Sequence, residues 1–178
     1  MIDKLKNAKP QYIFDRITDI TIDDLKKMGV KLVAIDLDNT TVFDCTNKPI
    51  KGVRSWLTKV KEASFKVAII SNSFAFRAKM MGKKFDCPAY GPADKPDTKM
   101  MIQAASDAGV KPHEMALSGD RLFTDVVGAN AFGAVSVLVK PYKKEFMIPW
   151  YWKKARQDEI DFLKTINIKR DSKTIYYK

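Results

Sequence analysis

The chain has 178 residues, 46% of them hydrophobic, which is enough to bury a full core and matches the length of one domain. No apolar run approaches the ~20 residues that span a bilayer, the N-terminus lacks the apolar stretch of a secretory signal, and Cys45 and Cys87 have neither metal-ligand spacing nor disulfide density. A cytoplasmic protein with reduced, structural thiols is expected, and its formal charge of +11 favours anionic partners: phosphorylated substrates, nucleic acid or lipid headgroups.

The first predicted element is a short helix ending near Met28, with Thr21 and Asp24 placed to satisfy its orphan amides and Gly29 to close it. Residues 31–37 follow, apolar and partly β-branched without helical period, as in a parallel strand covered on both faces. This strand ends in Asp36-Leu37-Asp38. Strands over 66–70 and 115–117 likewise run into polar clusters, Ser71-Asn72-Ser73 and Ser118-Gly119-Asp120, and 134–139 is a further strand. Helices are predicted over 53–63, 74–85, 98–108 and 124–131, the third capped by Asp97 and stopped by Gly109. The charged, Pro-containing stretch 88–97 reads as a loop. With no repeat and no linker, residues 1–178 are expected to form a single domain, with a basic aromatic C-terminal tail from about 141. The βαβα order predicts an α/β fold, a three-layer, doubly wound parallel sheet with right-handed crossovers. Ligands bind such sheets outside the carboxyl ends of the strands, where the polar clusters lie.

Asp36 and Asp38 can face one cleft if the chain turns sharply at Asp38-Asn39-Thr40. Two such carboxylates suit phosphoryl transfer, one attacking phosphorus and the other protonating the leaving oxygen and later taking a proton from water. Two carboxylates facing a phosphate need a cation, and magnesium with oxygen ligands meets that need. Ser71, Lys95, Asp120 and Asp125 follow at later strand ends or in adjoining loops. Asn72 is read either as orienting Ser71 or contacting substrate, or as a turn residue at a helix start. Arg121 either reaches an anionic substrate or faces solvent. Asn39 and Thr40 are expected to shape the loop after Asp36, and His113, the only histidine, to lie in a surface loop.

The set DLDNT at 36–40, SNS at 71–73, Lys95 and GDRLFTD at 119–125 resembles the four ordered motifs of haloacid dehalogenase (HAD) superfamily phosphatases, over about residues 31–139. The resemblance implies that Asp36 is the nucleophile and a magnesium ligand. Asp38 becomes the general acid/base, giving the metal its backbone carbonyl. It implies that Ser71 hydrogen-bonds the transferring phosphoryl group, that Lys95 neutralises its charge, that Asp120 ligates Mg2+ and that Asp125 supports the metal directly or through water. HAD caps are inserted after the first motif or between the second and third. Here those intervals leave room only for a small flap and single helices, so a capless enzyme with an open cleft is expected.

IDLDNT, SNS, Lys95-Pro96 and GDRLFTDVVGAN look more narrowly like subfamily IIIA, which includes the mitochondrial-type phosphatidylglycerophosphate phosphatases; Thr41 departs from that group, where an aliphatic residue is usual. This resemblance implies an anionic phospholipid as substrate. The alternatives are a soluble phosphatase for small phosphate esters, nucleic-acid ends or phosphoproteins, and a basic RNA- or membrane-binding module with a vestigial site. From Lys140 onward there are eleven basic and five acidic residues, and Trp150, Trp152, Lys153 and Lys154 have the composition of a peripheral membrane contact; the competing reading packs both tryptophans on the sheet.

Overall fold

A computed structural model describes residues 5–142 and 150–166, without the side chains of residues 150–152. Six strands form one sheet: β1 (Tyr12–Phe14), β2 (Leu32–Ile35), β3 (Lys66–Ile70), β4 (Ala89–Tyr90), β5 (Met115–Gly119) and β6 (Val135–Val139). Their order is β1-β6-β5-β2-β3-β4, and every pairing is parallel. The helices are α1 (Ile22–Lys27), α2 (Val53–Glu62), α3 (Ala75–Phe85), α4 (Lys99–Ala108), α5 (Val127–Phe132) and α6 (Trp150–Thr165). None among the described residues is long and apolar enough to cross a membrane.

Alternation along the strands explains the layers, because successive side chains of a strand face opposite sides of the sheet. Val33, Ile35, Val67 and Ile69 pack with Leu25 of α1, Trp56, Leu57 and Val60 of α2, and Met81 and Phe85 of α3. Their neighbours Leu32, Ala34, Ala68, Ile70, Met115 and Leu117 pack instead with Met101, Ala104 and Ala105 of α4 and Ala129 of α5. On that second face Leu138 also meets Leu122, Val126, Val127 and Leu163 of α6. Each fully buried aliphatic side chain contributes about 1.5–3 kcal/mol, so Ile69→Ala, which also leaves a cavity, should cost about 2–5 kcal/mol.

Local signals place several boundaries. Thr21 Oγ1 accepts from the Asp24 amide at 3.1 Å, and Asp24 accepts in return from the Thr21 amide at 2.9 Å, the reciprocal cap expected of that pair. Gly29 has φ +69°, a left-handed position suited to glycine just past a helix. Asp97 Oδ1 accepts from the Lys99 amide at 2.8 Å, at the start of α4. Three elements differ from expectation. β1 was not foreseen, and β4 lies at the start of the stretch read as loop. The helix expected over 124–131 opens earlier, as a π-helical turn Leu122–Val126, and continues as α5.

Chain order sets the position of the site. β2 pairs with β3 on one side and β5 on the other, so the winding reverses there and a crevice opens at the carboxyl ends of β2 and β5. Between Asp36 and α2 the chain forms only a small flap, tied by bridges Asp38–Val42 and Val42–Pro49. Between Ser71 and Lys95 lie only α3 and β4.

Candidate active site

Asp36 directly follows β2, and its amide donates to Ser118 O at 2.9 Å, fixing it against the end of β5. The chain then turns sharply: the amides of Thr40, Thr41 and Val42 all donate to Leu37 O, and Asn39 takes a left-handed φ of 55° that asparagine tolerates. Thr41, the departure from the expected aliphatic residue, is fully buried and donates its hydroxyl to Asp36 O at 2.8 Å. The hydroxyl is thereby satisfied, and it braces the peptide that carries Asp36.

Ser71 is buried beyond β3 and accepts from the Ser73 amide at 3.3 Å. Asn72 lies in the bend ahead of α3 and lines the same cleft. Its side chain brackets Lys95, accepting from the Lys95 amide at 2.7 Å and donating to Lys95 O at 3.1 Å. Asp120 follows β5, and the π-helical turn aims Asp125 back beneath it, where its carboxylate accepts from the Arg121 amide at 3.0 Å. A Cβ on Gly119 would overlap the Asp125 carboxylate, so glycine is what opens that space.

These residues surround one cleft of about 290 Å³, lined by Asp36, Asp38, Ser71, Lys95, Asp120 and Asp125 among others. At its floor Lys95 Nζ spends its three N–H groups on Asp36 Oδ1 at 2.7 Å, Asp125 Oδ1 at 2.5 Å and Ile70 O at 2.8 Å. Burial alone would pull the Lys95 pKa down, but Asp125 and Asp36 outweigh it and hold the value above its ordinary one. Burial pushes Asp36 up to about 6, with Lys95 opposing the shift, and pushes Asp120 up to about 7, with Arg156 opposing it.

Asp36, Asp120 and Asp125 place carboxylate oxygens within 4.8 Å of one another. The Asp38 carboxylate stands outside that group. Three buried acids share the floor with Lys95, and burial first, then the acids' mutual repulsion, raises Asp36 and Asp120. An all-oxygen donor set of this kind fits a hard divalent cation.

Three residues of the site were not foreseen. Arg77 of α3 grips Asp38 through two bonds of 2.7 Å, while the Cys45 amide donates to Asp38 Oδ1 at 2.8 Å. Arg156 of α6 donates to Asp120 O at 2.7 Å and Asp120 Oδ2 at 2.6 Å, and also to Glu159 at 3.2 Å. Glu159 accepts in addition from Arg121 Nε at 3.1 Å and the Phe123 amide at 3.2 Å. Arg121 is thus paired within the protein. One signal was available: Arg156, Glu159, Ile160 and Leu163 recur at i, i+3, i+4 and i+7, an inward helical stripe, and all four are buried. His113 is exposed.

The parallel sheet, with its acids at the strand ends, is the HAD phosphatase architecture. The same fold is found in 3-deoxy-D-manno-octulosonate 8-phosphate phosphatase from Yersinia pestis, at TM-score 0.51 and 16% identity, covering 83% of this chain and 88% of that one. The chain belongs to the family described as mitochondrial PGP phosphatase, which it matches over residues 1–142. It is 34% identical over 133 residues to "Probable phosphatase YqeG" of Bacillus subtilis, covering 74% of this chain and 77% of that one. A shorter similarity, 45% over 56 residues, joins it to the glyceraldehyde 3-phosphate phosphatase of Methanopyrus kandleri, covering 32% of this chain and 24% of that protein. The protein is a HAD-type phosphatase.

Proposed function

We propose that the chain is a magnesium-dependent phosphomonoesterase that removes the terminal phosphate of phosphatidylglycerophosphate, leaving phosphatidylglycerol. The observation that carries the chemistry is the cluster of Asp36, Asp120 and Asp125 around the Lys95 ammonium. The lipid substrate is supported by the family match over residues 1–142.

In this reading an Asp36 carboxylate oxygen attacks phosphorus as the ester P–O bond breaks, and Asp38 gives its proton to the leaving alkoxide. Water then attacks the aspartyl phosphate, Asp38 takes up the water's proton, and inorganic phosphate leaves with Asp36 restored. The Ser71 hydroxyl holds a phosphoryl oxygen, while Lys95, its three N–H groups engaged at the floor, neutralises the phosphoryl charge. Asp36, Asp120, Asp125 and the Asp38 carbonyl would hold Mg2+, which supplies charge stabilisation at the transferring group. Both Asp38 oxygens are engaged by Arg77, and one also by the Cys45 amide, so Arg77 must release Asp38 before it can serve the leaving oxygen.

The tail reading extends the proposal to a peripheral membrane contact through Trp150, Trp152, Lys153 and Lys154. The two tryptophan side chains lie outside the described residues, and both lysines are exposed on α6. The test is phosphate release, with and without chelator, across phosphatidylglycerophosphate in mixed micelles, glyceraldehyde 3-phosphate, nucleic-acid ends, a phosphopeptide and an aryl phosphate. Lipid turnover well above the rest, abolished by chelator and by Asp36→Asn in a folded protein, is the expected result. Preference for a soluble ester would overturn the lipid assignment, and an active Asp36→Asn variant the nucleophile.

A further inference from the structure

Just past Ser73, on the rim of the cleft, two phenylalanines stand in solvent: Phe74 is 73% and Phe76 71% exposed. Their rings stack on each other, centroids 5.9 Å apart and planes 13° from parallel. An isolated exposed apolar residue is ordinary, whereas a stacked aromatic pair beside a catalytic cleft forms a patch. Helix α3 continues it. Ala78, Met81, Gly82 and Phe85 turn inward, and the opposite stripe carries Phe76, Lys79, Met80 and Lys83, all exposed. No acidic residue occurs in α3. Apolar rings and a methionine interleaved with lysines on one helical face are the pattern of a segment lying at a lipid–water interface. The patch is a convex helix face, which suits entry between headgroups, and its lysines complement an anionic surface.

We propose that Phe74, Phe76 and Met80, with Lys79 and Lys83, form the surface by which the protein docks on an anionic bilayer, turning the cleft mouth toward the headgroups. This rests on the lipid-substrate reading above and puts the membrane against the α3 face in place of the tail contact, because α3 and α6 pack on opposite faces of the sheet. The rings enter the interface while the lysines engage anionic headgroups, and Asp36 is thereby brought to a phosphate that stays in its membrane. Neither phenylalanine side chain takes part in the chemistry.

The experiment is co-sedimentation of the full chain with vesicles of phosphatidylcholine, alone or with about 30 mol% phosphatidylglycerol, at low and raised salt. Wild type should bind the anionic vesicles, less so as salt rises. Phe74→Ala/Phe76→Ala should lose roughly tenfold or more in partitioning while aryl phosphate turnover stays within about twofold of wild type. Lys79→Glu/Lys83→Glu should lose the preference for anionic over neutral vesicles. Phe74→Trp/Phe76→Trp should keep or gain binding, because tryptophan favours the interface; it decides the matter should the alanine variant unfold. Wild type ignoring anionic vesicles, the folded alanine variant sedimenting like wild type, or the tryptophan variant losing binding would each overturn the proposal. Vesicle binding through the phenylalanines without turnover of phosphatidylglycerophosphate would sink the substrate reading and leave the docking surface standing. Lipid turnover unchanged in a folded alanine variant that also sediments normally would do the reverse.

Discussion

Replacing Arg156 by methionine keeps most of the side chain's volume and removes its charge. Arg156 is 5% exposed and gives Asp120 two bonds, of 2.7 and 2.6 Å, and Glu159 one of 3.2 Å. Glu159 keeps the Arg121 guanidinium and the Phe123 amide, so the charge left uncompensated is that of Asp120. Breaking a buried ion pair from one side costs about 3–5 kcal/mol. Asp120 already sits up at about 7 through burial, and with Arg156 gone it rises further and takes a proton near neutrality, which limits the cost. The lower end of the range, about 3 kcal/mol, is therefore expected, or a Tm lower by about 6–12 °C for a chain of this size. Protonated Asp120 is a poor metal ligand, so aryl phosphate turnover should fall and half-saturation by magnesium should shift to higher concentration. Thermal unfolding in chelator, with magnesium titration of activity, tests both. A Tm within about 2 °C of wild type and an unchanged magnesium requirement would refute the argument that α6 holds Asp120 in place.

Lys95→Ala and Asp120→Ala should both lose turnover for different reasons, a missing phosphate-binding charge and a missing metal ligand. Excess magnesium should not restore Lys95→Ala, and rescue of that variant alone would mean the two roles are exchanged. Arg77→Ala should cost about 1 kcal/mol, since the pair it breaks is partly exposed, while turnover of an alkyl phosphate holds or rises as Asp38 is released. A loss matching that of Asp38→Asn would show that Arg77 serves the acid. In chelator, stability should fall as pH rises from about 4 to about 7: Asp36 and Asp120 are raised to about 6 and about 7 from 3.8, so across that window the folded state binds more protons than the unfolded. Lys95, also raised, stays charged there and adds no slope, and Glu114, lowered to about 2 from 4.5 by the Lys111 amide, contributes the opposite slope up to about pH 5, as do the lowered Asp24 and Asp161 near its lower end. Unfolding temperatures at about pH 5 and about pH 8 check this, and a higher value at the upper pH would count against the crowded-acid account.

What could be read in the sequence is what the chain encodes locally. Asp36, Ser71 and Asp120 each follow a short apolar strand, and a parallel sheet aligns those ends automatically, so six residues far apart in sequence arrive at one cleft. β1 and β4 escaped because strands of three and two residues at the sheet edges have no room to show a period. Arg77, Arg156 and Glu159 escaped for another reason. Their meaning lies in partners 36 to 39 residues away, and a cation at an inward helical position reads as solvated until its acid is known. The exposed phenylalanines looked like an ordinary helix start, since sequence does not show which apolar residues the core leaves out.

The clamp of α6 on Asp120 changes where this protein can be cut. The family match stops at residue 142, and a boundary drawn there by homology would look generous, since every motif lies upstream. It would remove Arg156 and Glu159, expose Leu138 and Leu122 where Leu163 had covered them, and leave the buried Asp120 carboxylate without its guanidinium. Such a truncated protein could be taken for a degenerate relative, when what it lacked was the far end of its own chain.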